Sequence, residues 1–176
     1  MPVTTAPPDA SALRAVLGHV PTAVSVVTAA TPDGPIGVTV GSFTSVSLDP
    51  PLVVFYCGLR SASAAAIVRA GAFCVNVLSA RQHAVCAGFA ARDGDRFACC
   101  TWHTAANGAP RLDGAVAWVE CAVEESFPAG DHLAVVGRVS LLDAAGGAPL
   151  VFHRGRLTGL APARDVPTQR FHWWDA

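Results

Sequence analysis

Clusters of turn-forming residues cut this chain into short apolar runs, and that punctuation constrains the fold more than any other feature. Pro32-Asp33-Gly34-Pro35 separates an apolar stretch at 23–30 from another at 36–40. Asp49-Pro50-Pro51 ends an extended stretch at 43–48 and precedes the continuous run Leu52-Val53-Val54-Phe55-Tyr56-Cys57. Pro128-Ala129-Gly130-Asp131 divides a long run at 115–127 from its return at 132–142, and Gly146-Gly147 precedes a short run at 150–152. Pro presets the turn backbone and Gly adopts conformations that other residues avoid, so runs parted in this way fold back on one another as hairpins. Val outnumbers Leu 23 to 13, with only 2 Ile, and stiff β-branched side chains suit a pleated surface. The run at 52–57 reads as a strand buried on both faces, and 73–78 as a further strand. Within 132–142, Leu133, Val135, Val139 and Leu141 share one face with Gly137. His132, Ala134, Val136, Arg138 and Ser140 share the other.

Three segments carry helical signals instead. Residues 11–20 place Leu13, Val16, Leu17 and Val20 at helical spacing, with Ser11 as cap and Pro21 as stop. Residues 61–70 have Ser61 or Ser63 as cap, an inner face of Ala64, Ile67 and Val68, Arg69 in the last turn and Gly71 as terminator. Ser79 with Gln82 has capping-box spacing and opens a helix ending near Gly88. Residues 91–113 read as loop, anchored by Phe97 and Trp102. The sum is a mainly β chain, a six- to seven-stranded antiparallel barrel with a few short peripheral helices, rather than a doubly wound sheet. Residues 1–11, with three Pro, read as a flexible leader, 12–160 as one domain and 161–176 as a C-terminal tail.

Composition removes several function classes. All 12 basic residues are Arg, and they are scattered singly, which is not the basic stripe of a nucleic-acid binder. Charged residues make up 14%, against about 25% in an ordinary soluble domain, a bias that fits further surface buried in a homo-oligomer. The longest uncharged run, 15–32, contains Gly18, His19 and Pro21 and makes a poor membrane span. No basic region precedes an apolar one at the N-terminus, so a cytoplasmic location is expected. Six Cys without a Cys-x-x-Cys pair, two of them adjacent at 99 and 100, read as reduced thiols packed as small apolar groups, and no metal site is expected.

Four segments could carry chemistry. Residues 38–47 are rich in small hydroxyl residues beside Gly41, offering backbone and hydroxyl donors to a ligand; the alternative is an edge strand. Cys57-Gly58-Leu59-Arg60-Ser61-Ala62-Ser63 joins a strand to a helix N-terminus and makes a phosphate seat or simply a capped helix. Gly130-Asp131-His132 places a histidine at a turn, and His153-Arg154-Gly155-Arg156 is a second polar turn. No nucleophile elbow or triad is present, and Glu124 and Glu125 point to opposite faces of a strand.

In order, these segments resemble the flavin reductase family with the FMN-binding split-barrel fold, the small components of two-component flavin-dependent monooxygenases. The resemblance is carried by residues 37–53, Phe73-Cys74-Val75-Asn76-Val77-Leu78-Ser79, Asp95-Arg96-Phe97, residues 108–115, Glu120-Cys121, Gly130-Asp131-His132 and residues 149–155. It implies reduction of FMN or FAD by NADH or NADPH in a homodimer, with reduced flavin passed to a partner monooxygenase. The alternative is a non-catalytic flavin- or haem-binding module on the same barrel. The resemblance places the flavin against Val38, Thr39, Gly41, Ser42, Phe43, Thr44 and Ser45, and the flavin phosphate near Cys57, Gly58, Arg60, Ser61 and Ser63. It sets His132 at the nicotinamide and Arg154 near the pyridine nucleotide or the dimer partner. Gly41 stands where many relatives carry Asn, and Ser63-Ala64 where a basic residue and Thr are common, so the phosphate seat reads as poor in charge.

Overall fold

The computed structural model describes residues 7–160. In chain order these form α1 (Ala10–Leu17), β1 (Thr22–Ala23), β2 (Ser25–Thr31), β3 (Gly34–Val40), β4 (Thr44–Leu48), β5 (Pro51–Gly58), α2 (Ala62–Ala70), β6 (Ala72–Val77) and α3 (His83–Ala90). A 3-10 helix (Arg96–Cys99), β7 (Trp102–Thr104), β8 (Pro110–Leu112), β9 (Ala117–Ala129), β10 (His132–Ala144), β11 (Leu150–His153) and β12 (Arg156–Gly159) follow. Seven strands make one antiparallel sheet in the order β3-β2-β6-β9-β10-β5-β4, as the mainly β reading expects. Two small sheets, β1-β11-β12 and β7-β8, lie beside it.

The sheet is curled. β5 and β6 are separated by β9 and β10, which would put them about 14 Å apart on a flat surface. Yet the rings of Phe55 on β5 and Phe73 on β6 meet edge to face with centroids 5.3 Å apart. Both are fully buried in a core with Val27, Val75 and Val135, onto which α2 lays Ala64 and Ile67. Gly137 on β10 makes room for this contact, because a Cβ there would fall 2.3 Å from the Phe73 ring. α2 follows its sequence signals closely: the Ser61 hydroxyl accepts from the Ala64 amide, and Gly71 ends the helix in the left-handed conformation. On the outer side, α3 lays Val85, Cys86 and Phe89 over Val24 and Val26, and Phe97 joins Phe89 to Trp102 through ring contacts.

Several details differ from the sequence reading. α1 is capped by Asp9, whose carboxylate accepts from the Ser11 and Ala12 amides, so the helix starts inside the expected leader and ends at Leu17. No α1 residue is buried, and Leu13, Val16 and Leu17 are exposed among the described residues. Gly88 lies within α3, which runs on to Ala90. β12 was not read as a strand; its hairpin turns through Arg154 and Gly155, both at positive φ. The pairing of β9 with β10 shifts register twice, and the second shift, with Ser140 as the extra residue on β10 between Val139 and Leu141, takes Leu141 off the buried face and leaves it exposed. Residues 1–6 of the leader and the tail at 161–176 lie outside the described residues.

Candidate functional site

The two edge strands of the sheet, β3 and β4, are consecutive in the chain, joined by Gly41-Ser42-Phe43. Ser42 fastens this link to β5: its hydroxyl accepts from the Tyr56 amide at 3.0 Å and donates to the Tyr56 carbonyl at 2.9 Å. Beside the link opens a cleft of about 570 Å³. One wall is the end of β3 with the link, from Val38 to Ser42. Another is the end of β5, Tyr56 to Gly58, and Ser61 and His132 complete the rim. A second cleft of about 990 Å³ shares Gly58, Ser61 and His132 with the first. It continues over the start of α2, where Arg60, Ser63, Arg92, Arg96 and Asp131 line it.

Folding therefore brings Val38, Thr39, Gly41, Ser42, Cys57, Gly58, Ser61 and His132 into one cleft, and sets Arg60 and Ser63 in the adjoining one. It does not bring the remaining sequence candidates there. Phe43 packs against the barrel core, because the link turns the chain away after Ser42. Thr44 and Ser45 are exposed on β4 and line neither cleft. Arg154 sits on the hairpin of the separate small sheet, in a third cleft with His153, Arg156 and Thr158. Conversely, Arg92 and Arg96 were not singled out from sequence as site residues. They come from a segment read as loop, and only Asp95-Arg96-Phe97 within the family string marked it. The second cleft thus carries three guanidinium groups where the sequence suggested one. Among the described residues, no carboxylate lies within ion-pair distance of Arg60, Arg92 or Arg96.

The hydroxyls that drew attention in the sequence mostly hold the walls together. Thr39 donates to the Cys86 carbonyl at 3.0 Å, Ser61 caps α2, and Ser63 accepts from Arg96 at 2.7 Å. A Cβ built on Gly58 meets no atom within 4 Å, so a side chain at the shared boundary would project into open cleft. The first-turn amides of α2 precede any intrahelical partner and carry the positive end of the helix dipole, which with three arginines favours an anion. The Leu59 amide donates to the Asp131 carbonyl at 3.0 Å, tying this turn to the β9–β10 turn. His132 is half exposed, and its Nδ1 lies 2.6 Å from the Asp131 carboxylate. That hydrogen bond holds the Asp131 carboxyl below its ordinary range. Burial pushes the Cys57 thiol up to about 11, so at neutral pH it is an uncharged wall group and no nucleophile.

One room between two strand ends and one lined with arginines, meeting at a glycine, fit a ring carrying an anionic tail. The flavin reductase like domain family matches residues 17–161. The chain belongs to the flavin reductase family. A flavin reductase of Pseudomonas putida is 47% identical over 155 residues, 87% of this chain and 91% of that protein. The flavin-dependent monooxygenase reductase subunit HsaB of Rhodococcus jostii is 42% identical over 160 residues, 90% of this chain and 82% of that protein. The FMN reductase (NADH) SmoA of Agrobacterium fabrum is 42% identical over 147 residues, 84% of each. Among solved structures, nitrilotriacetate monooxygenase component B from Mycobacterium thermoresistibile superposes with a TM-score of 0.86 at 38% identity over 93% of both chains. The NADH:FAD oxidoreductase SgcE6 of Streptomyces globisporus, solved with NAD and FAD fragments, gives 0.84 at 37% identity, covering 89% of this chain and 96% of that one.

Proposed function

We propose that this flavin reductase uses NADH or NADPH to reduce FMN or FAD and supplies the reduced flavin to a flavin-dependent monooxygenase. The observation that carries the reading is the shared boundary of the two clefts, where Gly58, Ser61 and His132 stand at once beside the room between the strand ends and the cationic one. When bound, the nicotinamide supplies a hydride and the flavin ring accepts it at N5. The chain's part is placement. Residues 38–42 and 56–58 form the two walls between which a ring would rest, and the Ser42 bridge to Tyr56 ties those walls together. Arg60 and Arg92, with the first amides of α2, neutralise a phosphate-bearing tail. His132, braced by Asp131, offers a ring nitrogen to the pyridine nucleotide. Hydride transfer itself needs no protein acid or base, which accounts for a site without a carboxylate pair or a triad.

The outward apolar residues of α1 support a homodimer in which that helix is covered. No helix of the described residues is long and apolar enough to cross a membrane, and a cytoplasmic location belongs to the same reading. The test is steady-state oxidation of NADH and of NADPH with added FMN or FAD. A flavin-dependent rate with at least one nucleotide is expected, and its absence with both would reject the function. A yellow complex that neither nucleotide bleaches without oxygen would favour the non-catalytic binding module.

A further inference from the structure

Arg96 does something that neither cleft alone explains. Its Nη1 donates at 2.7 Å to the carbonyl of Gly37 on β3 and at 2.7 Å to the hydroxyl of Ser63 in the first turn of α2. β3 is an edge of the main sheet, paired on one side by β2 only, so its outward carbonyls have no strand to meet. One of those partners is Arg96, and a second tie runs from Thr39 on β3 to the Cys86 carbonyl of α3. The segment that carries Arg96 is itself seated, since the Asp95 carboxylate accepts the Phe97 amide and the Phe97 ring packs edge to face on Phe89 at 4.9 Å. Phe89 in turn presses on Gly37, where a Cβ would fall 2.5 Å from its ring.

The end of β3 is one wall of the first cleft, and the start of α2 forms the rim that both clefts share. A single nitrogen of Arg96 bonds to both elements. We infer that Arg96 is a positioning residue that sets the separation of β3 from α2 and thereby the width of the ring-binding cleft. Both protons of Nη1 are engaged within the protein, so its contribution to binding passes through the walls and not through a bond from that nitrogen to the ligand's phosphate. A charged donor on two neutral acceptors is a strong tie, and bonds that fix a cleft before the ligand arrives lower the ordering cost of binding. The inference rests on the flavin reading for its ligand.

Riboflavin and FMN separate the two roles, because they share the ring and ribityl chain and differ only in the phosphate. Dissociation constants for each are read from flavin fluorescence quenching on the wild-type protein, Arg96→Met and Ser63→Ala. Arg96→Met is expected to weaken riboflavin about tenfold and FMN by at least as much, because it also removes one charge of the cationic cleft. Ser63→Ala removes one leg of the tie and is expected to weaken both equally by a smaller factor, about threefold; it stands as the test should Arg96→Met fail to fold. Loss confined to FMN would make Arg96 a phosphate ligand and overturn the inference, as would unchanged binding of both flavins. A wild-type protein that binds neither flavin would instead reject the functional reading on which the inference stands.

Discussion

His132 shows how much of a residue's role its sequence context can carry. Gly130 turns the chain at positive φ, Asp131 follows, and His132 opens β10, so the imidazole is held at the mouth of the cleft by a turn and a carboxylate together. The motif was legible because all three residues are adjacent. The hydroxyl-rich stretch 38–47 was legible only by composition. A serine's type does not say whether its oxygen faces a ligand or a neighbouring strand, and Ser42 and Thr39 turn out to bond to the β5 backbone and to α3. Replacing His132 with Ala should lower kcat/KM for the reduced nucleotide roughly tenfold, the worth of one hydrogen bond to a bound ligand. The dissociation constant for FMN should stay within about twofold. Equal loss in both, measured by initial rates and by fluorescence titration, or no loss in either, would place His132 outside the nucleotide site.

At the scale of elements, legibility followed locality. α2 announces its cap, its inner face and its stop within ten residues, and all of these appear in the structure. The hairpins β2–β3 and β9–β10 follow from their turn residues. The offset of Leu141 was hidden because the register shift before it is set by pairing with β9, and no residue in β10 alone marks it. The curl of the sheet is likewise a pairwise fact, read from Phe73 reaching across β9 to rest on Gly137. Gly137→Ala should therefore destabilise the protein by roughly 1–3 kcal/mol through overpacking, seen as a lower urea midpoint with an unchanged slope. A change below about 0.5 kcal/mol, the range of ordinary surface substitutions, would show that the Phe73 ring does not lie over that position.

Across the whole molecule, the site is assembled from four separate stretches: the β3–β4 link, the β5–α2 turn, the β9–β10 turn and the segment from Arg92 to the start of the 3-10 helix. Three of these carried motifs that could be recognised one at a time. The fourth, with Arg92 and Arg96, lies about thirty residues beyond Ser63 and becomes part of the site only when α3 folds back over β2 and β3. Docking of α3 against β2 and β3 is thus what creates the cationic room, while Arg154 stays with His153 and Arg156 in a cleft of its own. The low charge and the exposed apolar residues of α1 belong to this scale too, as surface that the proposed dimer would cover. The central claim is spatial: a flavin ring lies in the cleft between the end of β3 and the end of β5, with its anionic tail toward Arg60 and Arg92. A crystal structure of the FMN complex tests this most directly. Ring density against residues 38–42 and 56–58 within reach of His132 is the expected result, and density elsewhere, such as the cleft beside Arg154 and Arg156, would refute this placement.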